Sequence, residues 1–297
     1  MTLFDDHVAR ALSGSQGADR SLLPVIEKEI LHHDIMRELH EGGLLAGLVF
    51  FGGTNLRLCH GSQRLSEDLD FKGGHSFDPA AMGRLASVLV AGLGRKYGLG
   101  VDVEGPKLKP GNTKTWTVRV TTRPGSKSEK QQRINIDICA LEAFDAAPRL
   151  LANFYAMDLG TTGLIIRSQS LKESYTDKLV ALALRRRLQP RDLWDLMWLK
   201  QRLSDMNPFH LPEKILEHEH EGPEFLGRLA GALRAVNTDP AVRSAFVDEL
   251  SRFLPARLHE TAAKADFWTY IAQSLAEDYG RCERALSKPP GGSGWDL

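Results

Sequence analysis

The sequence predicts an α/β chain, with a mixed, partly antiparallel sheet in the first half and a mainly helical second half. Three short stretches before residue 140 alternate apolar and polar residues with the period of half-buried strands. A strongly apolar helical pattern precedes them. From about residue 170 onward only the three-to-four spacing of helices remains, punctuated by proline and capping signals.

In chain order, Leu22, Leu23, Val25, Ile26, Ile30, Leu31, Ile35, Met36 and Leu39 predict a helical arm. Gly42, Gly43 and Gly47 break it, and Leu48 to Phe51 form a short apolar strand that stops at Gly52-Gly53. A helix is expected to start at Thr54. Asp68 to Phe71 (DLDF), Thr115 to Thr121 (TWTVRVT) and Arg133 to Cys139 (RINIDIC) are the alternating strands. The last two are joined by TRPGSKSEKQQ, whose Pro-Gly marks a turn, so they are expected to pair as an antiparallel hairpin. Ser170-x-x-Glu173 has the capping-box pattern before LKESYTDKLVALALRRR, and Pro190 opens RDLWDLMWLKQRL. Further helix starts fall at Gly222-Pro223 and Asp239-Pro240. These signals divide the chain into an α/β domain with its helical arm (1–168), a helical domain (169–286) and a flexible tail (287–297).

With 42% hydrophobic and 26% charged residues in 297, the composition is that of a globular chain and excludes disordered and fibrous classes. Thirty-eight basic residues balance thirty-eight acidic ones, so any polyanion site must be local. The acidic N-terminus lacks the apolar core of a secretory signal, and Leu44 to Phe51, the most apolar run, is far below the roughly 20 residues that span a bilayer. A cytoplasmic protein without a membrane anchor is expected. Three scattered cysteines, Cys59, Cys139 and Cys282, predict buried thiols and argue against a disulfide framework or a zinc site.

The chemistry concentrates in FGGTNLRLCHGSQRLSEDLDF, residues 51–71. Gly52 and Gly53 carry no Cβ, so a phosphate chain can approach their backbone, and a helix start at Thr54 favours anions. The Gly-Lys-Ser/Thr ending of a P-loop is absent. Period two places Asp68 and Asp70 on one strand face and Leu69 and Phe71 on the other; in RINIDIC it sets Asn135 and Asp137 opposite Ile134, Ile136 and Ile138. Close carboxylates repel, and a hard divalent cation with substrate phosphates offsets that repulsion. Asp68, Asp70 and Asp137 are therefore the candidate ligands of one or two Mg²⁺ ions, and metal-assisted phosphoryl or nucleotidyl transfer is the chemistry they suit. Ser66, two residues before Asp68, shares its face if the strand extends that far. His218 and His220 lie among Glu217, Glu219 and Glu221 on an expected exposed helix and are set aside. Trp194 and Trp198 are expected in the core.

GGTNLRL, RLSEDLDF, INIDICALE, SYTDKLVALALRRR and RDLWDL together resemble, over roughly residues 30–200, the AbiEii-type nucleotidyltransferase toxins. These are type IV toxin–antitoxin proteins of the DNA polymerase β-like nucleotidyltransferase superfamily. The resemblance implies a polymerase β-like domain with the nucleotide and metal site at Gly52, Gly53, Asp68 and Asp70, and functional roles for Lys178 and Asp192. Lys172 competes with Lys178 as the family lysine, and Thr54 stands where many members have serine. It further implies NTP as substrate, transfer of NMP to an RNA, namely the tRNA 3′ end, and an antitoxin partner. Catalytic roles fall to Asp68, Asp70, Asp137, Lys178 and Asp192, and nucleotide contacts to Gly52, Gly53, Thr54, Arg57, Ser66 and Lys178. Asp195 is an orienting residue or a salt-bridge partner of Arg191 or Arg202.

Residues 105–135 carry a local charge of +7, and residues 178–191 add five basic groups with no acid. Lys107, Lys109, Lys114, Arg119, Arg123, Arg185, Arg186 and Arg187 are thus the candidate contacts to an RNA backbone. Two alternatives stay open: a nucleotidyltransferase acting on a small molecule or protein side chain, and a noncatalytic binding module that keeps the fold.

Overall fold

A computed structural model describes residues 2–14, 20–107, 112–123 and 130–287. The chain divides into two compact units. One comprises Met1–Ser170 together with Ser251–Leu258, and the other the described residues of Leu171–Leu250 and from His259 onward. The expected Pro-Gly turn at 124–125 and tail residues 288–297 lie outside the described residues.

In the first unit, α1 (Leu3–Gly14) and a 3-10 turn (Arg20–Leu22) lead into α2 (Leu23–Glu41), which has proline in its first turn. There follow β1 (Val49–Phe51), α3 (Gly52–Leu58), β2 (Leu69–Lys72), α4 (Leu85–Tyr97), β3 (Gly100–Lys107), β4 (Thr113–Arg123), β5 (Lys130–Cys139), β6 (Ala146–Leu150) and β7 (Ile165–Gln169). Among the described residues the strands form one sheet in the order β3-β4-β5-β2-β1-β7-β6. The β2–β5 and β1–β7 pairs are parallel; the others are antiparallel, including the expected β4–β5 pair.

Alternation decides which face is covered. Phe50, Leu69, Phe71, Trp116, Val118, Val120, Ile134, Ile136 and Ile138 are buried in one cluster with Ile30, Leu31, Ile35 and Leu39 of α2 and Leu85, Leu89 and Leu93 of α4. The other face therefore keeps Asp70, Asn135 and Asp137, all of intermediate exposure. Charged residues of α2 are also buried, each with a partner: Glu29 with Arg57, Glu27 with Arg123 and Gln132, Asp34 with Arg37, Lys96 and the Tyr97 hydroxyl.

Two boundaries differ from expectation. The helix after β1 begins at Gly52, not Thr54, because Phe51 is still extended (φ −143°) and serves as its N-cap. β2 begins at Leu69, so Asp68 is its lead-in and Ser66 lies in the preceding loop. The segment Ser251–Leu258, read as helical sequence, packs with the first unit: Leu65 N–H donates to the Phe253 carbonyl (2.9 Å), and Phe253 is buried in the sheet's core cluster.

The second unit holds α5 (Leu171–Leu184), α6 (Pro190–Lys200), α7 (Leu211–Glu217), α8 (Gly222–Thr238), α9 (Pro240–Leu250) and α11 (Ala265–Ser287); the division falls inside α10 (Ala256–Ala262). The starts at Pro190, Gly222 and Pro240 agree with the sequence signals. Glu173 sits in the first turn of α5, and its carboxylate accepts from the buried Lys214 ammonium (2.7 Å). His218 and His220 lie beyond the end of α7 in a turn with Glu219 at φ +61°, not on an exposed helix. Trp194 and Trp198 are core residues, as expected. Cys139 and Cys282 are buried thiols and Cys59 is a partly buried one, none of them in a disulfide among the described residues. Among the described residues no helix is long and apolar enough to cross a membrane.

Candidate active site

The parallel register of β2 and β5 sets Asp70 beside Asp137, and the antiparallel register of β1 and β2 sets Phe51 beside Asp70. The chain turns at Gly52, φ +77°, immediately after Phe51. A Cβ at Gly52 would lie 2.3 Å from Asp70 Oδ2, and one at Gly53 would lie 2.6 Å from Arg64 Nη2 and 2.8 Å from Ser66 Oγ. The glycine pair is thus required by what packs against it. One glycine makes room for a carboxylate and the other for a guanidinium and a hydroxyl.

Each remaining group is tied to its neighbours. Asn135 N–H donates to Asp68 Oδ1 (3.1 Å), and the Thr54 hydroxyl, buried, donates to the Asp68 carbonyl. The Thr115 hydroxyl on β4 donates to Asp137 Oδ1 (2.5 Å), and that of Thr117 to Asn135 Oδ1 (3.2 Å). Burial pushes the Asp68 carboxyl above its usual range. The Asn135 N–H and Lys28 oppose that rise, while the negative charges of Asp137 and Glu67 add to it.

Asp70 and Asp137 therefore share one sheet face beside the glycine bend, and Asp68, ahead of the strand, is tied to Asn135 of β5. Among the described residues no three His, Cys, Asp or Glu side chains close into a ready-made metal cage. The donor set still fits Mg²⁺, which commonly takes one or two carboxylates plus substrate phosphates. Asp68 and Asp137 each keep one oxygen without a hydrogen-bond partner among the described residues.

Arg57 is not part of this group. Its guanidinium is forked onto buried Glu29 (3.0 Å), donates to the Ser62 carbonyl (3.0 Å) and lies 4.0 Å from the centre of the Phe154 ring, so its role is to hold α3 on α2. The Thr54 hydroxyl is bonded to the Asp68 carbonyl, so what Thr54 offers a ligand is its backbone N–H in the first turn of α3.

In the second unit, Lys178 Nζ lies 2.7 Å from both Asp192 and Asp195, and Arg185 closes on Asp192 from the other side. Both aspartates are buried. Asp195 thus meets Lys178; Arg191 pairs with Glu249, and Arg202 stacks on Trp198. Lys172 is half-buried, 3.7 Å from Asp205 and 4.8 Å from the centre of the Phe209 ring.

Folding also redistributes the basic run. Arg119 pairs with Asp102 and Glu104 of β3, Lys107 with Glu104 and Arg123 with Glu27, acids the sequence count of 105–135 leaves out. Lys109 lies outside the described residues. Lys114 is half-buried, while Arg186 and Arg187 are exposed. Sequence reading missed Thr115, Arg64 and Lys72, the last buried at the end of β2 with its ammonium 5.4 Å from the centre of the Phe51 ring. Thr115 could have been found from its alternation with Thr117 in TWT; nothing in the sequence signals the burial of Arg64 or Lys72.

The whole arrangement coincides with a sequence match, over residues 34–273, to the family described as Nucleotidyl transferase AbiEii toxin, Type IV TA system. The chain belongs to this family. It is accordingly a nucleotidyltransferase of a type IV toxin–antitoxin system. MenT4, a nucleotidyltransferase toxin from Mycobacterium tuberculosis H37Rv, is similar in structure at 17% identity and a TM-score of 0.51, covering 94% of this chain and 98% of its own. JHP933 from Helicobacter pylori is similar at 19% identity and a TM-score of 0.49, covering 88% of this chain and 96% of its own. No curated protein matches the chain in sequence. The likeness to MenT4 shows the fold shared by this AbiEii toxin.

Proposed function

We propose that this toxin transfers NMP from an NTP to an RNA acceptor, the tRNA 3′ end, in a Mg²⁺-dependent reaction in the cytoplasm that blocks translation. The observation that carries this reading is the Asp70–Asp137 pair set against the glycine bend, with Asp68 leading into the same strand. Asp68, Asp70 and Asp137 would hold one or two Mg²⁺ ions, which when bound supply charge neutralisation for the phosphates and a lowered pKa for the attacking hydroxyl. The space a side chain would fill at Gly52 and Gly53 is taken by Asp70, Arg64 and Ser66, so the bend would meet the triphosphate through its backbone N–H groups, with the Ser66 hydroxyl beside Gly53 as a further donor. Asp137, with Oδ1 fixed by Thr115, has one other oxygen, which either completes the ion's ligands or takes the acceptor hydroxyl's proton while Asp68 and Asp70 hold the metal. The new oxygen–phosphorus bond forms as the bond from the α-phosphorus to pyrophosphate breaks. Lys178, oriented by Asp192 and Asp195, is the cation assigned to the triphosphate by family resemblance.

One observation favours a second reading. Arg119, Arg123 and Lys107 are paired within the protein, which suits a small-molecule or protein side-chain acceptor better than a long polyanion. Incubation with each labelled NTP, Mg²⁺ and total RNA, with Asp70→Ala as control, tests both. Label in a tRNA-sized band that disappears with the variant supports RNA transfer. Transfer confined to protein or small molecules supports the second reading, and Asp70→Ala at wild-type rate refutes the site.

A further inference from the structure

Arg64 is the largest side chain buried to 2% exposure, and it lies in the loop between α3 and β2. Withdrawing a guanidinium from water costs several kcal/mol unless its donors are satisfied. Here Nη1 donates to the Leu65 carbonyl (2.9 Å), and the guanidinium carbon lies 5.9 Å from the centre of the Phe253 ring. Nη2 fills the space a side chain at position 53 would take, 2.6 Å from where its Cβ would be, next to Ser66 Oγ. The adjoining Leu65 N–H is bonded to the Phe253 carbonyl (2.9 Å). One side chain therefore touches the glycine bend, the loop that leads to Asp68 and the returning segment at once.

We propose that Arg64 is a positioning residue of the nucleotide site, fixing the spacing between the Gly52–Gly53 bend and the Ser66–Asp68 loop. The inference rests on the reading of that bend and Asp70 as the nucleotide site. Its planar fork can press on Gly53 and hold the Leu65 carbonyl together, which a flexible ammonium does not do. It explains why position 53 has no side chain: a methyl there and the guanidinium compete for one space.

The test is a double-mutant cycle on the full chain, reading affinity for ATP, GTP, CTP and UTP, each with Mg²⁺, by calorimetry. Gly53→Ala and Arg64→Met are each expected to weaken binding of the preferred triphosphate at least about tenfold, and Gly53→Ala/Arg64→Met no more than about twofold beyond Arg64→Met alone, because the guanidinium is then gone and the other close atom, Ser66 Oγ at 2.8 Å, can turn away about its own side-chain bond. A purely structural arginine would lower the melting temperature without this coupling. Effects that multiply in the double variant, or Arg64→Met binding within twofold of wild type, would overturn the proposal. If Arg64→Met does not fold by circular dichroism, the same cycle with Arg64→Lys decides by the same criterion. Asp70→Ala runs alongside: should it bind triphosphate as tightly as wild type, or should wild type bind none, the nucleotide site itself fails, a result distinct from a multiplicative cycle with an intact Asp70 effect.

Discussion

Replacing Gly52 with alanine perturbs the bend at its tightest point. Gly52 has φ +77°, where an L-residue costs roughly 1–2 kcal/mol. For a unit of this size that lowers the melting temperature by about 2–8 °C. The added methyl would also lie 2.3 Å from Asp70 Oδ2, so the carboxylate must retreat by about 1 Å to reach an ordinary carbon–oxygen contact of about 3.3–3.6 Å. A displacement of that size in a reacting group lowers turnover about 100-fold. Gly43→Ala isolates the backbone part, because Gly43 has φ +70° and nothing within 4 Å of its added Cβ. Gly43→Ala should show the backbone loss alone in thermal denaturation and Gly52→Ala at least as much, and only Gly52→Ala should lose NMP transfer when assayed well below its melting temperature. Equal activity of the two variants would refute the claim that Gly52 is glycine for the sake of Asp70.

Burial holds His32 and His33 neutral, each with a pKa pushed down to about 4 from 6.5. The unfolded chain protonates first on acidification, so their contribution is intact above pH 6.5 and falls away down to about pH 4, by roughly 3 kcal/mol each; urea midpoints at pH 7 and 4.5 that coincide would contradict this. Arg57→Gln strands the buried Glu29 and should cost about 3–5 kcal/mol in urea unfolding while triphosphate affinity stays at the wild-type value; weakened binding with unchanged stability would return Arg57 to the site. If RNA is the acceptor, Arg186→Glu/Arg187→Glu should weaken RNA binding and lower its salt slope by about 1 for each phosphate no longer neutralised, and Arg119→Glu, already paired with Asp102 and Glu104, should change little. Filter binding across a salt series separates the two, and equal losses would show that the β3–β4 surface also carries RNA.

Much of the site was legible because alternation is a local signal. DLDF and RINIDIC each declare which residues share a face, and the diglycine declares a bend without side chains. The register that joins them is long-range: nothing within either strand says that Asp70 falls beside Asp137. Three strands escaped: β7, IIRSQ, because it is five residues long with only one apolar pair at its start, and the other two for a related reason. β3, GVDVEGPK, and β6, AAPRL, are edge strands, mostly exposed, with glycine or proline in them, so neither shows a buried apolar row. α4, LASVLVAGLGRKY, carries two glycines that dilute its helical pattern. Charge runs misled most. Counting along 105–135 gave +7, yet β3 and α2 deliver the acids that cancel part of it, and Arg57 and Arg64 look alike in sequence while one is clamped to Glu29 and the other lies behind Gly53.

The bond between Leu65 and Phe253 bears on how this toxin comes into being. Domains form during synthesis from the N-terminus at about 5–20 residues per second. The sheet could assemble early, but the buttress behind the loop that leads to Asp68 is translated nearly two hundred residues later. A chain terminated in the helical half before Phe253 lacks the carbonyl that holds Leu65, and its loop ahead of Asp68 is left without that support.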